Sequence, residues 1–283
     1  MPELPELEAL ARTITGPIAG APISAVPRAH FAVLKTALPP LATLDGRTIE
    51  RTERRGKHLL FHAGELTLAV HLMTMGRIGY YPPGVSKRPK APILDVRFGD
   101  GGALLGTEGG TRKSMRVGVY DAGGLTGLIG HLGPEPLTDA FDRTALDGIC
   151  DAEGRQLNTL LRDGRRLAGI GRAFADEILH EAMLSPFAIS TRLPAAGRDR
   201  LHTAIRTVLA RGVEECLARQ GPVLPARNDG RLLRIHGHDG EPCPRCTDTL
   251  RFVDFESNRI VYCARCQTDG RILADRRLSR LLK

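Results

Sequence analysis

Leu7, Leu10, Ala11 and Ile14 recur at helical spacing, so residues 5–15 are expected to form an amphipathic helix that Gly16-Pro17 stops. Over 22–132 the period changes. Short apolar runs at 58–61, 66–72, 93–98 and 117–120 are separated by the turn signals Asp45-Gly46, Pro82-Pro83-Gly84 and Asp100-Gly101-Gly102. That pattern predicts a β domain, a sandwich, with 84–92 as an exposed basic loop. Gly133-Pro134-Glu135-Pro136 marks a boundary. Helical text follows at 138–150 with Thr138 as its cap, then at 154–162, 172–184 and 195–219. The Gly- and Pro-rich stretch 221–240 reads as a linker to a small terminal unit. The expected division is 1–132, 133–222, a linker at 223–240, and 241–283.

At 283 residues the chain exceeds the length of ~250 at which single cores usually split, which agrees with several domains. Hydrophobic and charged fractions of 42% and 25% exclude wholesale disorder. No run reaches the ~18 apolar residues that a membrane span needs. The most apolar stretch, 59–79, is broken by His62, Glu65, His71 and Arg77. The start, MPELPELEAL, is acidic where a secretory signal would be basic, so a secreted or membrane protein is not expected, which leaves a cytoplasmic chain as the expectation. A net charge of +8 suits a polyanionic partner. With 12 aromatics and no Trp the chain is poorly equipped to stack unpaired bases, which favours a duplex bound through its phosphates.

Cysteines 243, 246, 263 and 266 form two Cys-x2-Cys pairs separated by sixteen residues. Two such knuckles can close a tetrahedron of thiolates around one Zn2+, leaving no position for substrate, so the metal is structural. A unit of 43 residues also lacks the core to fold without it. Between the knuckles, LRFVDFESNRIVY alternates like a hairpin with Asn258 or Arg259 at its tip. From residue 259 onward seven basic residues face two acids, Asp269 and Asp275, which favours phosphate contact. Cys150 and Cys216 read as buried helical thiols. No organic cofactor is expected.

Met1-Pro2 carries a second kind of chemistry. Removal of the initiator Met would expose the secondary amine of Pro2, with an ordinary α-amine pKa of about 7.7–8.0. Such an amine can attack a sugar carbon, while Glu3 and Glu6 move protons beside it. Taken alone, Pro2, Glu3 and Glu6 read first as an acidic helix start, the commoner meaning.

Five segments together decide more than any one does. PELPELEA (2–9), RRGKHLLF (54–61), HLMTMGR (71–77), AGIGRAFADEILHEAMLSP (168–186) and the four-cysteine terminus with CARCQ resemble the formamidopyrimidine-DNA glycosylase and endonuclease VIII family of base-excision repair. The resemblance spans residues 2–283. It implies a multi-domain α+β protein: an N-terminal β-sandwich opened by a catalytic helix, a helical domain with a helix-two-turn-helix motif, and a C-terminal zinc finger of four cysteines. It also implies a monomer acting on damaged duplex DNA as a bifunctional glycosylase and abasic-site lyase. By that resemblance Pro2 is the nucleophile, Glu3 the acid at the sugar ring oxygen, Glu6 its helper, and Lys57 and His71 touch phosphates.

Three departures from the family stand out. Arg172 holds the place of the Asn that follows the Gly-x-Gly turn, and is expected to bind phosphate. Thr74 holds the place of the Met that fills the gap left by an extruded base, with Met73 and Met75 beside it. To the same second departure belongs TEGGTRKS (107–114), which stands roughly where the family has Arg-Arg-Phe-Gly. The finger arginine is displaced by one residue to Arg259, where alternation along a strand would reverse its side. These departures leave the lesion open, and motivate a competing reading as a non-catalytic binder of damaged DNA on the same scaffold.

Overall fold

A computed structural model describes residues 1–219, 221–223, 233–255 and 258–274. The chain forms two compact units, one of Met1–Leu132 joined by the chain from Gly212, the other of Gly133–Arg211 with the C-terminal cysteine region.

The first unit opens with helix α1 (Leu4–Ile18). Glu3 and Glu6 form a reciprocal capping box, and Pro5 occupies the first turn, where its missing N–H costs nothing. Leu7, Leu10, Ile14 and Ile18 fall on one buried stripe. The helix does not stop at Gly16-Pro17. Pro17 removes one donor in the last turn, but Ile18 is fully buried, and the Ala19 N–H closes on the Thr15 carbonyl at 2.8 Å. Apolar burial outweighs the proline there.

Eight strands follow: β1 (Ile23–Ala29), β2 (Arg51–Arg55), β3 (His58–Ala63), β4 (Leu66–His71), β5 (Gly76–Tyr81), β6 (Leu94–Phe98), β7 (Ala103–Glu108) and β8 (Arg116–Tyr120). They make two antiparallel sheets, ordered β1-β6-β7-β5 and β2-β3-β4-β8. Leu59, Phe61, Leu68, Val70 and Val117 from one sheet meet Ile78, Leu94, Val96 and Leu104 from the other, with Leu7, Leu10 and Ile14 of α1 in the same core. Fully burying each such side chain is worth about 1.5–3 kcal/mol. The sandwich is thus closed by its own first helix.

The β text does not run to residue 132. Helix α2 (Ala122–Ile129) intervenes, capped by Asp121, whose carboxylate accepts from the Gly124 N–H at 2.7 Å. None of its residues is buried, so it leaves no apolar stripe for periodicity to find.

In the second unit α3 (Arg143–Asp151) starts later than the spacing suggests. Asp142 is the cap, accepting from Ala145 N–H at 2.7 Å, whereas the Thr138 hydroxyl donates to the Glu135 carbonyl in a preceding turn. An ionised carboxylate makes the stronger acceptor. Helices α4 (Leu157–Arg162), α5 (Arg172–Glu181) and α6 (Ala195–Arg219) follow. The antiparallel pair β9 (Leu250–Phe255) and β10 (Asn258–Cys263) then leads into α7 (Ala264–Thr268). Of the segment read as a linker, Val223 bridges to Gly79 of β5, residues 233–240 form turns, and 224–232 lie outside the described residues.

Two glycine substitutions test the packing in opposite directions. A Cβ at Gly76 would sit 2.3 Å from the Leu72 carbonyl oxygen, whereas one at Gly127 of α2 meets open space. In urea melts Gly76→Ala should cost roughly 1–3 kcal/mol, and Gly127→Ala should add about 0.5–1 kcal/mol. Equal effects of one sign would contradict this packing.

Candidate functional site

Helix α1 holds its own start inside the fold. Pro2 and Glu3 are buried although they precede the first helical residue. The Glu3 N–H donates to Glu6 Oε2 at 2.6 Å, which fixes the two carboxyls relative to Pro2. Burial pushes the Glu6 carboxyl up to about 7, against the opposing pull of the Glu3 N–H. Adjacent Glu3 raises it further, and the cationic Arg77 lowers it. Arg77, on β5, donates through Nη1 to the Gly76 carbonyl at 2.7 Å. The sequence sets Arg77 within a motif but gives no sign that it faces Glu6, because that pairing joins α1 to a strand some seventy residues on.

The second sheet supplies a row of arginine and histidine side chains. Gly56 has φ 58°, the sign that a primed hairpin turn needs, and so places Lys57 at the turn between β2 and β3. Cross-strand register then aligns Arg55 with His58, His58 with His71, and His71 with Arg116. The His58 and His71 rings meet edge to face with centroids 4.8 Å apart. Burial lowers His58 to about 4 and His71 to about 3, and the charges of Arg116 and, for His71, Lys57 push the same way. Both rings are therefore neutral at pH 7. His71 Nδ1 accepts the Met73 N–H at 3.1 Å, which leaves the proton on Nε2. Lys57 and His71 are thus brought together, with His58 and Arg116 as neighbours that sequence reasoning did not single out. Period-two alternation could have found them only with the strand register known.

From His71 the chain turns to Arg77. Met73 adopts φ 52°, in the left-handed region that favours glycine. Thr74 is exposed, and Met75 is 54% exposed with its Cε beside Gly109. The loop at 108–115 is tied by Glu108, whose carboxylate accepts from the Ser114 hydroxyl, the Ser114 N–H at 2.8 Å and the Met115 N–H at 3.0 Å. Burial raises the Glu108 carboxyl, but these donors outweigh it and leave it lowered. Lys113 is spent on the Glu108 and Gly110 carbonyls, so Arg112 is the exposed cation of the loop.

In the second unit, two successive turns join α4 to α5, and Arg172 is the exposed first residue of α5 after Gly171. Three polar side chains further along α5 are buried instead. Glu177 Oε1 accepts the N–H groups of Arg234, Ile235 and His236 at 3.0, 2.9 and 2.9 Å. Asp176 Oδ2 lies 2.7 Å from His236 Nδ1 and accepts the Val261 N–H at 3.2 Å. Burial lifts Asp176 to about 6, with His236 pulling it back. His180 Nε2 lies 3.2 Å from Cys243 Sγ.

Arg259 shares the side of the hairpin that carries Cys263, as alternation requires. Its guanidinium stands 3.8 Å over the Phe252 ring and pairs with Asp239 at 3.2 Å and Asp254 at 3.6 Å. The hairpin tip at 256–257 lies outside the described residues. Arg259 is thus a strand residue opposite Asp254.

The four sulfurs of Cys243, Cys246, Cys263 and Cys266 all lie within 4.8 Å of one another, with Cys243–Cys266 at 3.9 Å and Cys246–Cys263 at 3.4 Å. A tetrahedral site with metal–sulfur bonds of about 2.3 Å has sulfur–sulfur edges near 3.8 Å. The cluster fits a structural metal and is consistent with a zinc finger.

Comparison with known proteins agrees with this geometry. The family model for the formamidopyrimidine-DNA glycosylase N-terminal domain matches residues 1–109, and that for the H2TH domain of the same family matches 132–219. A formamidopyrimidine-DNA glycosylase of Moorella thermoacetica is 35% identical over 267 residues, covering 89% of this chain and 94% of the relative. The crystal structure of the Fpg protein of Thermus thermophilus superposes with a TM-score of 0.79 at 29% identity, covering 94% of this chain and 98% of that one. Lactococcus lactis Fpg, solved in complex with DNA containing an abasic site, gives 0.81 at 25% identity, with 94% and 99% covered. With both domain models matched in order and relatives aligned along nearly the whole length, the chain belongs to the formamidopyrimidine-DNA glycosylase family.

Proposed function

We propose that the protein is a bifunctional DNA glycosylase and abasic-site lyase of base-excision repair, with the amine of Pro2 as nucleophile. The observation that carries this reading is Pro2 held beside two carboxyls of different character: Glu3 caps the helix, and Glu6 sits at about 7. The amine attacks C1′ of the damaged nucleotide, and the bond from C1′ to the base breaks. The departing base takes up the proton that the amine loses, Glu3 protonates the sugar ring oxygen as the ring opens, and an iminium between Pro2 and C1′ is left. Loss of a C2′ proton then expels the 3′ phosphate and nicks the strand. A carboxyl near 7 exchanges protons readily at neutral pH, which suits Glu6 to relay them. Lys57, Arg116 and the neutral Nε2–H of His71 offer donors to phosphates, as do Arg172 and Arg259 in the second unit. The four cysteines hold one structural Zn2+.

Met75 is the side chain we assign to the gap left by an extruded base, because it is exposed where Thr74 is too short. Unstacking a base costs a few kcal/mol, so a filler matters most for paired lesions.

Three outcomes test this reading. Incubation with an abasic duplex and borohydride should trap a covalent adduct. Extending the chain ahead of Pro2, so that its nitrogen is an amide, should abolish it; an undiminished adduct would defeat the mechanism. Met75→Ala should slow base excision from a paired lesion about tenfold or more while sparing cleavage at a preformed abasic site, and equal loss on both substrates would refute its role. Glu6 also makes a pH-dependent contribution to stability. Its folded pKa of about 7 stands above the ordinary 4.5, so its penalty is absent below 4.5 and complete above 7. Glu6→Gln should therefore leave Tm unchanged near pH 4 and raise it above about pH 8, as read by thermal melts across pH.

A further inference from the structure

We infer that His180 is a positioning residue that fastens helix α5 to the metal cluster, so that metal loading sets the helix that carries Arg172. The inference rests on the metal reading of the four cysteines and is independent of the chemistry at Pro2.

The contact runs both ways. His180 Nε2 lies 3.2 Å from Cys243 Sγ, and both residues are buried. In return Arg245, inside the first knuckle, donates through Nη1 to the His180 carbonyl at 2.7 Å. Arg245 also pairs with Glu181 at 3.5 Å. The last turn of α5 and the first Cys-x2-Cys pair are therefore clasped by one side chain from each.

The chemistry fixes the direction of the hydrogen bond. A cysteine that holds a metal is a thiolate and can only accept, so the proton belongs to Nε2 of His180. Hydrogen bonds of this kind orient a ligand and stabilise its negative charge, and their loss typically weakens metal binding about 10–100-fold. The same helix face carries Asp176 and Glu177, which hold the 234–236 backbone and β10. Arg172, Asp176 and His180 stand four residues apart along α5, on neighbouring positions of one stripe. The side chain at one end meets the cluster, and the side chain at the other is exposed. Fixing His180 therefore fixes the rotation of the helix about its own axis.

The test uses the full chain, stripped of metal and reloaded with Co2+. Four-thiolate absorption in the near ultraviolet must appear first; if it does not, the metal reading itself fails. In His180→Phe the sulfur-to-metal charge-transfer band should move to lower energy, and transfer of metal to a chelator should speed up about 10–100-fold. His180→Gln, whose amide N–H reaches the same place, should recover most of both. Hydrogen exchange of α5 amides should slow on metal loading in the parent chain and in His180→Gln, but much less in His180→Phe. An unchanged band and transfer rate in His180→Phe would overturn the inference. So would a Gln variant no better than Phe, or α5 exchange in the parent that ignores the metal. Borohydride trapping at an abasic site reads Pro2 separately, so failure here and failure there are distinct.

Discussion

Chain termini usually fray, because nothing offsets the entropy of ordering them. The first unit depends on reversing that. Five apolar side chains of α1 sink into the sandwich core, the capping box closes the first turn, and Arg54 binds Glu8 at 2.9 Å while donating to the Gly56 carbonyl at 3.0 Å. Arg54 therefore ties the helix to the very turn that carries Lys57. The nucleophile we propose, the backbone nitrogen of Pro2, has no rotamers of its own to aim it. Its aim is that of the helix, and the helix is held along its length by the core.

The same economy governs charge. The strand register lines up Arg55, His58, His71 and Arg116 in one row, whose two middle members are neutral at pH 7. Two half-buried imidazolium rings in edge contact between cations would repel one another and lose hydration. Neutral rings avoid that and remain directional donors. Long-range attraction for a polyanion then falls to Lys57 and Arg116, while His71 contributes a fixed N–H and shapes the Met73 turn. Attraction and aim are separate tasks here, assigned to different side chains.

Local rules carried the sequence reading a long way. The apolar stripe of α1, the short apolar runs of the sandwich and the Cys-x2-Cys spacing were all legible, because each depends on residues close in sequence. Misread elements were those decided by competition. Ile18 drew the helix past Pro17, Asp142 displaced Thr138 as a cap, and α2 has no buried face to announce it. In the site, the four cysteines stood out by their spacing, whereas Pro2, Glu3, Glu6, Lys57 and His71 were carried by the resemblance of five segments together. Arg77, His58, Arg116 and His180 did not stand out, since each gains its meaning from a partner across a sheet or from a distant segment.

The C-terminal unit shows why some of those distant partners must be polar. Among the described residues its two apolar clusters are small, one around Ile235, Leu250 and Val261, the other around Val253, Ile260 and Tyr262. Cores of that size cannot by themselves fix one arrangement against a helix. Helix α5 instead buries Asp176, Glu177 and His180 at 2%, 3% and 4% exposure, a costly choice unless each finds its partners. Each does: three backbone N–H groups for Glu177, His236 and a strand amide for Asp176, a sulfur for His180. A slip of the ribbon along α5 would strand all three at once, whereas a purely apolar contact would tolerate it. The buried polar face thus exchanges some stability for a single register, and a single register is what a helix must have if its first residue is to meet a phosphate.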